Sequence, residues 1–475
     1  MSTLARDLAA QVGPSRVMVR PADLASYAFD AFGAAGERHL PDAIVFPGNT
    51  DEVSAVMRVC AHHGVPVVPR GAGTGYAGGA VALGGGVVLN LCRMTRVLAR
   101  EADAMRVLVE AGTITAQVHH LAAAQRLYYP PDPGSAPTST IGGNVACNAS
   151  GAHHLLYGGT ADYLVGATAV LADGRIVRLG EGADGGAELL RLLCGSEGTL
   201  AVVTEVLLRL VPAPATRATL AAAYDGMQGA TDAAAALVAA RILPAALEVI
   251  DGAALDAVAA AGADPVAPGA GALVLVELEG DATEVAAQVA AVRTALEGAG
   301  ATRVIAAEDE QESHRLWATR KAISAAVAAV MIGKVNEDVC VPRDRVAELV
   351  TVARAAGERH GVPVVTFGHL GDGVVHATFL IDPRRHGDRE RGDAAAAKVF
   401  GAVLDMGGSL TGEHGCGYVK LPFVERQLGE DTLRLMRRIK ASLDPRGLLN
   451  PGKKIPPAPQ TPAEVEPSAV EAAAH

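Results

Sequence analysis

Apolar residues in the first half of the chain fall into short runs, each bounded by glycine, proline or other turn residues. Such runs predict β-strands. A longer mixed segment over 51–63 predicts a helix, with Thr50 and Asp51 as candidate caps. A hairpin is predicted where two runs flank Asp173-Gly174. The predicted strands are 43–47, 65–69, 86–91, 107–110, 163–171, 175–179 and 200–210.

The pattern changes after Pro212 and Pro214, which mark the first predicted domain boundary. Alanine-rich helices then alternate with strands, as is typical of an α+β domain. Residues 1–40 are predicted to form a helical leader. The aperiodic residues 456–475, rich in Pro, Ala and Glu, predict a disordered tail. The predicted elements of this half are helices 228–240, 282–299 and 421–443, and strands 272–279 and 302–306.

Composition narrows the class of protein. Of the 475 residues, 50% are hydrophobic and 20% are charged, which predicts two or three globular domains and excludes an intrinsically disordered protein. A net charge of −11 and an aromatic content of 3% argue against nucleic acid as a partner.

The cysteines and the N-terminal residues indicate a compartment. The six cysteines include no CxxC pair, so zinc ribbons and iron–sulfur clusters lack their ligand spacing. Scattered free cysteines suit a reducing cytoplasm. The chain starts without the apolar segment of a secretory signal, and its longest apolar runs are shorter than the ~20 residues of a membrane helix. We therefore expect a cytoplasmic protein without a transmembrane segment.

A glycine-rich loop over 69–80 is the strongest local signal. Gly73, Gly75 and Gly78 satisfy GxGxxG, but a Rossmann loop must open a helix and needs an acid about 20 residues on. Here more glycines follow, and the next strand ends at Asn90. No Gly-Lys-Ser/Thr follows either, so a Walker A loop is excluded. The remaining interpretation is a strand–loop–strand whose backbone N–H groups surround an anion.

Two further segments have the character of ligand-binding loops. Residues 129–154 form a connection much longer than the usual ~4–6 residues, and such loops are usually functional or disordered. Its small residues allow backbone to approach a flat ligand closely. Residues 195–199, Gly-Ser-Glu-Gly-Thr, form a third small-residue turn before a strand.

A histidine–glutamate set is the candidate for chemistry. His369 and His376 flank a Gly-Asp-Gly turn, which predicts strand–turn–strand, and Glu413 completes a set that suits Zn²⁺ or Mn²⁺. On the residues alone, an ordinary turn or packing role for these two histidines remains an alternative to metal binding. If the backbone is extended here, His414 points to the side opposite Glu413. An unperturbed histidine pKa of ~6.5 suits a general base at neutral pH, and a structural role for His414 is the alternative.

Arg320, Ser324 and Lys334 are candidates for binding a carboxylate. Arg320 and Ser324 are one helical turn apart on a predicted helix, and Lys334 lies in the following strand. On sequence alone the two cations are better explained as surface charges.

Several ordered motifs resemble the FAD-linked oxidase family with a vanillyl-alcohol-oxidase type of flavin domain, and within it the D-2-hydroxyacid dehydrogenases. That group includes D-lactate dehydrogenase, the glycolate oxidase FAD subunit and D-2-hydroxyglutarate dehydrogenase. The resemblance extends from about residue 40 to 454. The motifs are PRGAGTGYAGGA, PPDPGSAPTSTIGGN, NASG, YGGTADYLVG, GSEGTLAVVTEV and DPRGLLNPGK.

The resemblance implies an α+β fold: a two-subdomain FAD-binding domain over 41–214, an α+β substrate (cap) domain over 215–405, and a C-terminal segment over 406–455 that returns to the FAD domain. It implies non-covalent FAD, because the glycine loop has no histidine. The implied FAD-binding residues are Pro69, Arg70, Gly71, Ala72, Gly73, Thr74, Gly75, Gly78, Gly79, Asp132, Pro133, Thr138, Ser139, Gly142, Gly143, Asn148, Gly151, Tyr157, Glu197, Gly198, Val203 and Asn450.

The resemblance also implies a reaction: oxidation of a D-2-hydroxyacid to the 2-keto acid, with hydride transfer to flavin N5. His369, His376 and Glu413 match metal ligands, Arg320 and Lys334 match residues that bind the substrate carboxylate, and Ser324 assists. His414 is the expected base.

This sequence departs from the family pattern at Tyr76, where many relatives have an aliphatic residue, and at Val374, where relatives usually have Asn. We also expect a homodimer and a separate electron acceptor. The alternatives are an electron-transfer flavoprotein subunit without its own substrate and a zinc hydrolase. The hydrolase would leave the glycine-rich segments unexplained.

Overall fold

The computed structural model describes residues 2–31, 39–181, 186–263, 265–331 and 333–458. A four-stranded sheet in the order β1-β2-β4-β3 lies at the N-terminal side, with the β2, β3 and β4 strands parallel. All four residues of β4 are buried, as expected for a central parallel strand. Its strands are Val17–Met18 (β1), Ala43–Val45 (β2), Val67–Arg70 (β3) and Val87–Asn90 (β4).

A second, antiparallel sheet has five strands in the order β5-β6-β10-β8-β9. Strands β8 and β9 pair as a hairpin, which confirms that prediction. A separate two-stranded antiparallel ribbon pairs β7 with β11. The strands are Val97–Glu101 (β5), Arg106–Glu110 (β6), Leu127–Tyr128 (β7), Leu164–Val170 (β8), Ile176–Gly180 (β9), Val202–Arg209 (β10) and Val211–Pro212 (β11).

The helices of this half are short, apart from the one that follows β2. That helix begins at Thr50, and its cap is Asn49, whose Oδ1 accepts from the N–H of Glu52 at 2.9 Å. The prediction of Thr50 or Asp51 as cap was wrong, because Asp51 and Glu52 belong to the first helical turn. The helices are Thr3–Val12 (α1), Pro21–Ala25 (α2), Thr50–His63 (α3), Thr115–Ala123 (α4), Ile141–Cys147 (α5), His154–Tyr157 (α6), Thr160–Tyr163 (α7) and Ala187–Leu193 (α8).

A seven-stranded antiparallel sheet dominates the second half, in the order β15-β12-β14-β13-β17-β18-β16. Apolar side chains are buried on both of its faces, because helices cover each face. Its strands are Thr216–Tyr224 (β12), Ala246–Asp251 (β13), Ala272–Gly280 (β14), Arg303–Ala306 (β15), Gly333–Cys340 (β16), Val364–His369 (β17) and Val374–Ile381 (β18). The helices are Met227–Ala239 (α9), Gly252–Ala260 (α10), Ala282–Gly298 (α11), Glu310–Val330 (α12), Val346–His360 (α13) and Asp388–Asp405 (α14).

The C-terminal segment returns to the first sheet. Leu421–Leu443 (α15) has non-helical backbone at Gly429, and the chain beyond it reaches β3, where the N–H of Asn450 donates to the carbonyl of Val67 at 2.8 Å. The order of two sheets, a cap sheet and a returning C-terminal segment is the expected α+β architecture. Within the described residues, none of the helices combines the length and apolar composition that a bilayer crossing requires.

Three segments differ from expectation or fall outside the described residues. The leader over 1–40 contains β1, which pairs with β2, so it is not only helical; residues 1 and 32–38 are not described. The long segment after Tyr129 contains α5, because Gly142 packs closely against Ala111. The predicted tail lies mostly outside the described residues, which end at 458.

Candidate active site

A cavity of about 1480 Å³ lies where the loops of the first two sheets face the cap sheet. The glycine loop forms one part of its wall, and α12, β17 and β18 contribute another. All three sheets therefore contribute to one cavity, which is large enough for a dinucleotide and a small substrate.

The glycine loop presents unpaired backbone donors. Within the part of the chain that the structure describes, no acceptor is found for the backbone N–H groups of residues 71–80. A Cβ built at Gly75 or Gly79 would meet no atom within 4 Å. These N–H groups are therefore available to an anionic ligand such as the pyrophosphate of FAD.

Arg70 lies beneath this loop. Its Nη1 donates to the carbonyls of Phe29 at 2.9 Å and Ala80 at 3.2 Å. A Cβ at Gly73, which has a φ of +72°, would overlap the guanidinium group of Arg70. The guanidinium thus holds the two ends of the loop while its positive charge stays next to the cradle.

Helix α5 supplies a second wall of small residues. Thr140 caps it by accepting from the N–H of Gly143 at 3.3 Å. A Cβ on Gly142 would approach the Ala111 side chain to 2.7 Å, and one on Gly71 would overlap the hydroxyl of Thr140. Glycine at these positions lets the two loops meet at the edge of the cavity.

Most of the residues expected to bind FAD line the cavity. The lining members are Pro69, Arg70, Gly71, Ala72, Gly73, Thr74, Gly75, Gly79, Asp132, Pro133, Thr138, Ser139, Gly142, Gly143, Glu197, Gly198 and Val203. Five expected residues are not among the described lining residues: Gly78, Asn148, Gly151, Tyr157 and Asn450.

Those five support the lining residues. Asn450 donates to the carbonyls of Gly79 at 2.9 Å and Glu197 at 2.7 Å, so it ties two cradle loops together. A Cβ at Gly78 would overlap the ring of Tyr418. The remaining three have comparable structural contacts: Asn148 ends α5 in a left-handed conformation, Gly151 packs on the backbone of Asp132, and Tyr157 donates to Glu279.

His369, His376 and Glu413 meet at the cap wall of the cavity. The atoms that they would offer a metal lie within 4.8 Å of one another. The Nε2 atoms of His369 and His376 are 3.4 Å and 3.6 Å from Glu413 Oε1. Two ligands of one tetrahedral zinc, each at about 2.0–2.1 Å, lie about 3.3 Å apart, so the residues fit a divalent cation. The predicted strand–turn–strand is confirmed by β17 and β18.

Glu248, from β13, orients this cluster. Its Oε1 lies 2.5 Å from His369 Nδ1, and its Oε2 accepts from Arg320 Nε at 2.7 Å. Burial alone would lower the pKa of His369, but the carboxylates of Glu248 and Glu413 outweigh it and raise the pKa to about 10. A carboxylate on the far nitrogen is the usual arrangement behind a metal-binding histidine.

His376 and Glu413 present atoms to the same point in complementary protonation states. Burial lowers the pKa of His376 to about 3, with the neighbouring His414 acting in the same direction, so its imidazole is neutral. Burial alone would raise the pKa of Glu413, but the hydrogen bond and charge of His369 hold it well below its usual range. Ser150 donates to Glu413 Oε2 at 3.0 Å.

Asp338, on β16, positions the loop that carries Glu413 and His414. Its Oδ2 accepts from the backbone N–H of Gly412, Glu413 and His414 at 2.7, 2.6 and 3.0 Å. Buried Lys420 pairs with its Oδ1 at 2.5 Å. Burial opposes ionisation, but the charge of Lys420 holds the pKa of Asp338 well below its usual range. The backbone N–H groups of this loop therefore surround the Asp338 carboxylate, which stays ionised.

Four rings along the cavity wall form a row, which we call the ring row: Phe367, His376, His414 and Tyr76. Successive centroids are 5.1, 5.1 and 5.2 Å apart. A cation lies at each end: Arg320 is 4.7 Å from the Phe367 centroid, and Lys334 is 4.9 Å from the Tyr76 centroid.

The three residues expected to bind substrate differ in whether they line the cavity. Arg320 and Ser324 line the cavity. Lys334 is not among the described lining residues; its ammonium group donates to the Tyr76 hydroxyl at 3.3 Å, and Tyr76 does line the cavity. Val374, one of the two expected departures from the family pattern, is buried against Gly412, since a Cβ added to that glycine would lie 2.6 Å from a Val374 methyl.

A second histidine cluster lines the cavity near α12. His153 Nδ1 lies 2.8 Å from Asp132 Oδ2, and its Nε2 lies 2.8 Å from Glu277 Oε1. Trp317 donates to the other Glu277 oxygen at 2.9 Å, and Arg217 pairs with Glu279 at 2.7 Å. Burial alone would lower the pKa of His153, but the carboxylates of Asp132 and Glu277 outweigh burial and hold this pKa well above its ordinary value.

Sequence reasoning missed Glu248, Asp338 and His153. A signal was present for Glu248, because an acid inside an otherwise apolar strand, as in Ala-Leu-Glu-Val-Ile, is buried only when it has a partner. Asp338 follows Asn336 and Glu337 in a polar stretch and does not stand out in this way. His153 gave no such signal, since its partners lie on β14 and in the 129–135 segment.

Two family descriptions match the chain. "FAD binding domain" matches residues 41–180, and "FAD linked oxidases, C-terminal domain" matches residues 213–454.

Curated relatives match over most of their length. Glycolate oxidase subunit GlcD of Bacillus subtilis (strain 168) is 36% identical, covering 90% of this chain and 91% of the relative. D-lactate dehydrogenase of Anaerostipes hadrus is 32% identical, covering 93% and 95%. D-2-hydroxyglutarate dehydrogenase of Xanthomonas citri pv. viticola is 33% identical, covering 92% and 94%.

Solved structures confirm the expected vanillyl-alcohol-oxidase type of fold. 4-Ethylphenol oxidase from Gulosibacter chungangensis superposes with a TM-score of 0.79 at 19% identity, covering 96% of this chain and 97% of that one. p-Cresol methylhydroxylase gives 0.78 at 16% identity, covering 95% and 96%. At these identities the likeness concerns the fold alone.

Proposed function

Because the chain belongs to the FAD-linked oxidase family, we propose that it oxidises a D-2-hydroxyacid to the corresponding 2-keto acid. One observation carries the proposal: the backbone cradle of the glycine loop and the cluster of His369, His376 and Glu413 open into the same cavity. A dinucleotide in the cradle and a hydroxyacid at the cluster would then share one water-poor space.

The glycine loop and α5 would hold FAD, the loop through its unpaired N–H groups and α5 through its close-packed glycines. When bound, FAD supplies the acceptor for the hydride that leaves the α-carbon of the substrate.

His369, His376 and Glu413 would hold Zn²⁺ or Mn²⁺, with Glu248 fixing the orientation of His369. When bound, such a cation supplies Lewis acidity that lowers the pKa of the α-hydroxyl. Three protein ligands leave a coordination position for substrate.

Arg320 and Ser324 bind the substrate from α12. The hydrogen bond from Arg320 to Glu248 uses Nε, and the terminal nitrogens have no acceptor among the described residues, so they are available to a substrate carboxylate. A fixed guanidinium orients a carboxylate and so lowers the entropic cost of reaching the reactive geometry. Lys334 adds positive charge from behind Tyr76.

His414 is the base that removes the hydroxyl proton. Its Nδ1 lies 3.4 Å from Asp338 Oδ1 but has no hydrogen-bond partner among the described residues. The charge of this carboxylate would favour a proton on Nδ1, which leaves Nε2 to accept one. The electron acceptor, the homodimer and the cytoplasmic location remain predictions.

The test is anaerobic mixing of the purified holoenzyme with D-lactate, glycolate, D-2-hydroxyglutarate and D-malate, followed by flavin absorbance. We expect at least one to bleach the flavin, and L-lactate to be much slower than D-lactate. A yellow protein that none of these acids reduces would support an electron-transfer subunit instead. A protein that binds no flavin would contradict the proposal entirely.

His414→Ala tests the base. We expect flavin reduction to slow by about 10²–10⁴-fold, the usual contribution of a positioned general base, while bound FAD is retained. His314→Ala is the matched control, because His314 also lines the cavity but its side chain is 73% exposed and lies 3.9 Å from Glu310. Fast reduction in His414→Ala would show that the base is another group.

A further inference from the structure

Tyr76 belongs to the glycine loop but contacts Lys334 of the cap and His414 of the C-terminal segment. Its ring lies 5.2 Å from that of His414, and its hydroxyl accepts from the ammonium group of Lys334 at 3.3 Å. It lines the cavity, whereas Lys334 is not among the described lining residues. The group that the cavity meets at this end of the ring row is therefore the phenol.

The direction of the Lys334–Tyr76 hydrogen bond determines what the phenol can do. An ammonium group only donates, so the Tyr76 oxygen must accept and its hydroxyl hydrogen is left for another acceptor. Within the described residues, no oxygen or nitrogen accepts from this hydroxyl. The adjacent positive charge makes the O–H a stronger donor and favours an anionic acceptor.

We propose that Tyr76 is a substrate-binding residue that donates its hydroxyl hydrogen to the carboxylate of the 2-hydroxyacid, with Lys334 as a positioning residue behind it. The inference rests on the proposed function. A carboxylate is the one group of such a substrate that accepts hydrogen bonds without also donating them. The α-hydroxyl must instead give its proton to His414, the neighbour of Tyr76 in the ring row.

This assignment revises the role of Lys334. An aliphatic side chain at position 76 would leave the ammonium group facing the cavity. With Tyr76 present, Lys334 acts through the phenol, by fixing the hydroxyl rotor and polarising the O–H bond. The two residues should therefore behave as one unit when they are mutated.

The test is Tyr76→Phe, which keeps the ring and removes the hydroxyl. We expect KM for D-lactate and glycolate to rise by about 10-fold or more, as for loss of a hydrogen bond to a charged group, with kcat changed by less than about 2-fold. A second measurement needs no turnover. Oxalate has carboxylates but no α-hydrogen, and its Kd, measured from the perturbed flavin spectrum, should rise by the same factor.

Tyr224→Phe is the matched control, because it removes a hydroxyl that donates to the carbonyl of Leu296 within the cap. It should leave KM and the oxalate Kd unchanged. Lys334→Met should raise KM in the wild-type background and have little further effect in Tyr76→Phe.

The outcomes separate this inference from the proposed function. If wild-type flavin is reduced but Tyr76→Phe keeps the KM and oxalate Kd, the inference is overturned and the function stands. A fall in kcat alone, or strictly additive effects of the two substitutions, also overturns it. If no hydroxyacid reduces the wild-type flavin, both are overturned.

Discussion

Two histidine–carboxylate clusters line the same cavity, and they differ in how fully their polar atoms satisfy one another. In the cluster of His153, Glu277 and Glu279, His153 lies 2.8 Å from one Glu277 oxygen, Trp317 donates to the other at 2.9 Å, and Arg217 forms an ion pair with Glu279. In the cluster of His369, His376 and Glu413, the facing atoms lie 3.4–3.6 Å apart.

Both sets could bring three ligand atoms within 4.8 Å of one another, so proximity does not distinguish them. The spacing does. Separations near 2.8 Å are hydrogen bonds that close a network on itself. Separations of about 3.3 Å are those between two ligands of one tetrahedral ion. The first cluster therefore joins the two halves of the molecule, and the second has the spacing that the proposed metal ion would need.

The largest expected effect comes from removing a ligand of the second cluster. His376→Ala should abolish stoichiometric metal binding and lower kcat/KM by more than about 100-fold, because loss of even an outer partner costs about 10–100-fold. The measurement is metal content per flavin by elemental analysis, together with flavin reduction. His153→Gln is the control and should keep its metal. Equal metal loss in both variants would contradict the assignment of metal binding to the second cluster alone.

A smaller effect is expected behind the metal ligands. Glu248→Gln should weaken metal affinity by about 10–100-fold, because His369 loses the carboxylate that orients it. Metal affinity is measured by competition with a chromogenic chelator. Glu277→Gln makes the same change in the His153 cluster and should leave that affinity unchanged. If the two variants lose metal equally, the His153 cluster also contributes to the site.

The smallest effect is a pH dependence of stability. The pKa of His153 is raised in the folded protein, so its contribution is fully present below the unfolded value of about 6.5 and is lost as pH rises through the folded value. His153→Gln should lower the free energy of unfolding by about 2 kcal/mol at pH 6 and by less at alkaline pH.

Urea titrations at several pH values measure this difference. His154→Gln serves as the control, since the His154 side chain is 42% exposed and pairs with Asp372. Its effect should stay below about 1 kcal/mol. If the difference in the free energy of unfolding between wild type and His153→Gln grew as pH rose, it would contradict a protonated His153 paired with the two carboxylates.

The sequence predicted those parts of the fold that depend on local signals. The bounds of α15 are the predicted 421–443, since its helical pattern runs to Asp444-Pro445. The glycine loop forms no helix, as its glycine density indicates. His369 and His376 face each other because a short turn fixes the register of their two strands.

Long-range pairings could not be derived in the same way. Glu248 lies opposite His369 only through the register of β13 with β17, and Asp338 lies opposite His376 only through that of β16 with β18. Such registers depend on how a whole sheet is assembled. Helix α5 was missed because its glycines oppose helix propensity, and only packing against Ala111 outweighs this.

Asn450 has a consequence for how the protein is made. It joins Gly79 and Glu197, and 371 positions of chain separate it from Gly79. During synthesis the early sheets can form well before this asparagine leaves the ribosome, but the two loops that it bridges stay untied until then. Stable capture of a flavin is accordingly a late event, which follows translation of the cap and makes premature loading of a half-finished polypeptide unfavourable.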